Sequence, residues 1–149
     1  MASGKTIKSR QDFPSGSGRP KRLVVKLGTN LLTGGSDALD IETIGSIFKQ
    51  VSAVKATGVE VLIVTSGAVA AGRGPLSRTP GRDRLQKGTV AYRQALAALG
   101  QPQLMMTFEQ LFAEFGVEIA QALISRGDLQ SRARYLNVRN TLEALLSIG

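Results

Sequence analysis

The sequence predicts an α/β fold built on a parallel sheet, and three observations carry that expectation. Two short apolar runs, Leu23–Leu27 and Val61–Val64, each lead into a glycine-containing turn. A helical stretch between them carries apolar residues at three- and four-residue spacing. Strand, helix and strand in that order form a right-handed crossover unit with parallel strands.

The elements follow in order. Residues 1–22 hold five of the eight net positive charges, because Lys5, Lys8, Arg10, Arg19, Lys21 and Arg22 face only Asp12. With Ser, Gly and Pro and few apolar residues, this segment reads as a disordered basic leader. It lacks the amphipathic helix of a transit peptide. Gly4-Lys5-Thr6 resembles the end of a phosphate-binding P-loop but has neither a preceding strand nor the first glycine. Leu23–Leu27, ended by Gly28, reads as a buried strand. Asp40 is placed to cap a helix over 41–57, with Ile41, Ile44, Ile47, Phe48, Val51 and Val54 on one face and Gly58 as its stop. Val61–Val64 reads as a second buried strand. A loop rich in breakers and cations, 74–88, precedes helices over 89–99 and 103–115, separated by Gly100 and Pro102. Val117–Ile124 reads as a third strand, and Asn137 as the cap of a last helix.

Composition narrows the chemistry. The 149 residues include no Cys and no His, which excludes disulfides, thiol nucleophiles, the usual zinc sites and a histidine base. What remains is Lys, Arg, carboxylates, hydroxyls and backbone amides, a set suited to phosphoryl transfer. No apolar run reaches the roughly 18–20 residues that span a bilayer. At 5% aromatic content, a base-stacking platform is not expected, and nucleic acid is not predicted as a partner.

Two motifs fall at the carboxyl ends of the first two strands, where ligands gather in an open parallel sheet. Lys26-Leu27-Gly28-Thr29-Asn30 leaves the first, and Thr65-Ser66-Gly67-Ala68 leaves the second. Lys26, in a run of Val and Leu, either meets an anion or snorkels to solvent. Gly28 would let amides approach the same anion. Ser66 either caps the small-residue segment 68–72 or presents its hydroxyl, with Gly67 and Ala68 amides, to a carboxylate or phosphate. As a hydrolase nucleophile it lacks a base and an elbow motif. The basic loop from Arg73 to Lys87 reads as a solvated connection before a lid. Asp128 reads as a turn or cap residue.

Four ordered segments carry a family resemblance: VVKLGT from Val24, IVTSGAVAAGR from Ile63, QALAALGQ from Gln94 and YLNVRNTL from Tyr135. Over residues 22–149 they resemble the glutamate 5-kinase branch of the amino-acid kinase superfamily. The resemblance implies a three-layer α/β/α sandwich with a mainly parallel sheet, incomplete at the C-terminus. It implies transfer of the ATP γ-phosphoryl group to the side-chain carboxylate of L-glutamate, with Mg²⁺, at the start of proline synthesis in the cytoplasm. Proline as a feedback inhibitor and a homo-oligomeric full-length enzyme come with it. Lys26 matches the lysine that contacts the transferring phosphoryl group, with Gly28 and Thr29 also at ATP. Ser66, Gly67 and Ala68 match the glutamate-binding turn, and no residue matches a metal ligand. Asn30 departs from the Ser of many members. A later Asn-Glu-Asn-Asp-type loop and a second lysine have no counterpart, so this chain alone is expected to be inactive. Two rivals stand beside this reading: an acetylglutamate or aspartate kinase, and a non-catalytic module that binds a ligand or partner.

Overall fold

In the computed structural model, which describes residues 20–149, β1 (Arg22–Leu27) and β2 (Glu60–Thr65) pair in parallel, with Leu27 opposite Thr65. The expected disordered leader falls largely on residues 1–19, outside the described residues. The connection is α1 (Thr29–Thr33) followed by α2 (Ile41–Lys55). Asp40 caps α2 as expected, accepting from the Thr43 amide at 3.0 Å and its hydroxyl at 2.7 Å. Gly58, at φ 83°, turns the chain into β2 where a side chain would be strained.

One face of the sheet is covered. Val25, Leu27, Val61 and Ile63 lie against a core of Leu32, Ile44, Phe48 and Val51 with Leu104, Phe108 and Phe112. Phe48 stacks on Phe112 with ring centroids 4.0 Å apart and meets Phe108 edge-on at 4.7 Å. The other face is largely open: Val24 is 57% and Val64 48% exposed. There α7 (Arg132–Ser147) lines a cleft of about 300 Å³ with Leu62, Leu142 and Leu146. The architecture is therefore an α/β layering with helices on both sides of a parallel pair and the second helical layer thin. Reading both strands as buried is corrected: β1 alternates covered and open side chains, and β2 is half-buried along its length with Val64 exposed, because one face is packed and the other only thinly covered.

After β2 come α3 (Ala68–Ala71) and α4 (Arg73–Arg78), then a 3-10 turn at Arg82–Arg84, so the expected loop is partly helical. The predicted break at Gly100 and Pro102 is overturned. A single helix, α5 (Val90–Ala113), runs through both, capped by Thr89. Its buried residues Leu96, Gly100, Leu104, Phe108 and Phe112 step by four along one face, and this packing outweighs the hydrogen bond that Pro102 cannot donate.

The third strand is also overturned. Over 117–124 no ladder forms among the described residues, although Val117 and Ile119 alternate inward onto the core. The side-chain period of a strand is present and a neighbour to pair with is not. α6 (Arg126–Gln130) opens on a capping box in which Ser125 and Asp128 satisfy each other's amides, as expected of Asp128. Asn137 does not cap a helix. It lies inside α7, which starts at Arg132, and its carbonyl accepts from the Thr141 hydroxyl.

Candidate active site at the strand ends

The parallel register brings the two motifs together. Leu27 and Thr65 are partners, so Gly28 and Ser66 leave adjacent strands at the same level. Thr29, the first residue of α1, crosses between them. Its Oγ1 lies 3.3 Å from Ser66 Oγ and donates to the Ser66 carbonyl at 3.4 Å. Residues 37 apart in sequence thus share one polar spot, and both hydroxyls reach solvent.

Lys26 projects from the open face of β1 and turns toward the strand end. A Cβ built on Gly28 would stand 3.4 Å from Lys26 Nζ. The ammonium therefore lies over the turn that precedes α1. Among the described residues Lys26 takes part in no ion pair, and it is exposed rather than desolvated. A compact ammonium beside a glycine turn and two hydroxyls can offset negative charge on a bound phosphate or carboxylate.

Gly67 behaves differently. It is buried, and a Cβ there would meet Leu32 Cδ1 at 2.6 Å and Leu104 Cδ1 at 3.3 Å. Its bareness serves packing. Ala68 opens α3, whose first helical bond runs from the Ala71 amide to the Gly67 carbonyl at 3.0 Å. The amides before it have no helical partner. Thr65 Oγ1, just ahead of Ser66, is buried without a hydrogen-bond partner.

Other groups fall outside this spot. Arg73, at the α3–α4 junction, pairs with Asp37 in the turn after α1. Further along the basic stretch Arg82 bonds locally, its Nη1 donating to the Ser77 carbonyl at 2.9 Å. Sequence reading did not foresee the Asp37–Arg73 pair or the packing role of Gly67, because both depend on residues distant along the chain. Among the described residues no group of three acidic side chains could hold a metal ion, and no helix is long and apolar enough to cross a membrane.

Strand-end lysine, glycine turn and paired hydroxyls gather at one end of a parallel α/β pair, and sequence comparison identifies the class of the chain. Residues 21–149 match the Amino acid kinase family, and the chain belongs to that family. Among individual proteins it is similar to the glutamate 5-kinases of Dehalococcoides mccartyi, Shewanella amazonensis and Geobacter sulfurreducens. Each is 46% identical over 129 residues, which make up 87% of this chain and 33% of the relative. The chain thus spans about a third of the length of the curated relatives it matches.

Proposed function

We propose that these residues form the phosphoryl- and glutamate-facing part of a glutamate 5-kinase, which transfers the γ-phosphoryl group of ATP to the side-chain carboxylate of L-glutamate. The observation that carries this reading is the meeting of Thr29 and Ser66 at 3.3 Å beside the Lys26 ammonium. Carboxylate attack on phosphate brings two anions together, so a fixed cation and aimed donors lower the barrier. Lys26 would offset charge on the transferring oxygens, with Gly28 and Thr29 holding phosphate. Ser66 and the amides of Gly67 and Ala68 would hold the glutamate carboxylate.

The described residues offer no set of acidic groups that fits Mg²⁺. The same reading places the reaction at the entry to proline synthesis in the cytoplasm, in a homo-oligomeric enzyme with proline as feedback inhibitor. It also holds that the 149-residue chain assayed by itself is inactive, since the residues described supply one side of the reaction. The test is a hydroxamate assay of the full-length protein with ATP, Mg²⁺ and glutamate, with N-acetylglutamate and aspartate as competitors. Glutamyl hydroxamate from glutamate alone is expected. Turnover of aspartate or N-acetylglutamate in its place would overturn the assignment.

A further inference from the structure

The strand-end spot rests on an unusually close contact between α3 and α5. A Cβ added to Gly100 would stand 1.9 Å from the Ala68 carbonyl oxygen and 2.3 Å from the Gly72 nitrogen. A Cβ added to Gly72 would stand 1.9 Å from the Leu96 carbonyl oxygen and 2.7 Å from its carbon. Every atom met is backbone, so rotating a side chain relieves nothing. The two helices touch main chain to main chain, and both positions are buried.

This contact is coupled to the proposed site by distance along the chain. α3 is four residues long and begins two residues after Ser66. The Ala68 oxygen that faces Gly100 also accepts the Gly72 amide at 3.0 Å, so pushing on it moves α3 as a unit. At its other end the turn is held by Leu32 and Leu104 against Gly67, and Leu32 is fully buried. Ser66 therefore sits on a segment held from both sides: by α5 at Gly72 and by Leu32 at Gly67.

We infer that Gly100 and Gly72, together with Leu32, are positioning residues for the glutamate-binding turn, setting where Ser66 stands relative to Thr29. Gly100 itself lies on α5 and touches neither hydroxyl. The inference rests on the proposed function, because it assigns Ser66 to the glutamate side of that site. It explains why α5 runs straight through a glycine: the position faces a backbone, and any larger residue would displace α3.

The test is Gly100→Ala in the full-length protein, with Gly45→Ala as control, since a Cβ at Gly45 meets only Leu111 Cδ2 at 3.7 Å. Displacing a substrate-positioning group by about 1 Å costs up to roughly 10²-fold. The KM for glutamate is expected to rise about ten- to a hundredfold, while the KM for ATP stays within about twofold. An unchanged glutamate KM, or an equal rise for both substrates, overturns the inference. Should Gly100→Ala fail to fold, Leu32→Val decides. It opens a gap under Gly67 and should raise the glutamate KM alone, and an unmoved KM overturns the inference. If the unaltered protein makes no glutamyl phosphate, the proposed function falls and takes this inference with it. An active parent with unmoved variants sinks the inference only.

Discussion

The loop end of the sheet and the C-terminal arm are built on opposite terms. At the loop end, backbone meets backbone at Gly72 and Gly100, and Leu32 and Leu104 are sealed beneath Gly67. In α6 and α7 no residue is fully buried, while Leu123 is 76% and Leu129 58% exposed nearby. The first region has one way to pack, because any displacement drives atoms together. The second rests on half-covered side chains around a cleft, where shifts cost little. Tight packing thus coincides with the proposed chemistry.

The largest effects should separate those regions by stability. Phe48 is fully buried between Phe108 and Phe112, and Phe→Ala at such a site costs about 3–5 kcal/mol. Leu136→Ala on α7, at a residue already exposed, should fall within about 0.5 kcal/mol. Urea melts of both variants check this. Comparable losses would show that the arm belongs to the cooperative core.

Next comes catalysis. Lys26→Ala should lower kcat of the full-length protein by about 10²–10³, the typical loss when one donor to developing charge is removed, with its melt nearly unmoved. Lys26→Arg should not restore the rate, since a planar fork does not place its charge where a compact ammonium does. A near-normal kcat in a folded Lys26→Ala enzyme would leave this lysine a solvated strand-end cation and remove the support for the mechanism.

Smaller effects should distinguish the two faces of the sheet. Val25→Thr places a hydroxyl against the core, where an unpaired buried polar group costs roughly 1–3 kcal/mol. Val24→Thr, on the open face, should stay within about 0.5 kcal/mol. Equal losses in thermal melts would mean that the open face is covered in solution.

What the sequence made legible follows the same division. β1, α2 and β2 were readable because their signals are local: apolar runs, the Asp40 cap, the Gly58 stop. That Lys26, Gly28, Thr29 and Ser66 meet at one end of the sheet was readable because a parallel pair sends both loops there. Gly100 was misread because a glycine two residues before a proline signals a break, and only the α3 backbone across from it shows otherwise. Residues 117–124 were misread because alternation describes side chains, whereas a strand also needs a neighbour. Asn137 was misread because the true N-cap of α7 is Ser131, which offers no side-chain cap bond to mark the start.

The smallest expected effect is a pH dependence that differs between the two helix caps. The Thr43 amide, then the Thr43 hydroxyl, hold the Asp40 carboxyl below its ordinary value of 3.8, with burial opposing them. The Ser125 hydroxyl, then its amide, do the same for Asp128 against burial, and Arg134 adds to them. A carboxylate whose folded value is depressed contributes stability that is fully present above 3.8. That contribution is lost as pH falls through the lower folded value. The two losses should register in different places. α2 is tied into the core by Ile44 and Phe48, so protonating Asp40 should lower the melting temperature of the whole unit. α6 buries nothing fully, so protonating Asp128 should fray its first turn and leave the global melt alone. Melts and amide exchange of Asp40→Asn and Asp128→Asn, followed from about pH 5 downward, read both. Asp40→Asn should flatten part of the acid-side decline in melting temperature. Asp128→Asn should instead abolish only the pH dependence of exchange protection, after correction for intrinsic rates, at residues 126–128. If it flattens the melting curve as strongly as Asp40→Asn, the arm and the core unfold as one, and the division between the two regions fails.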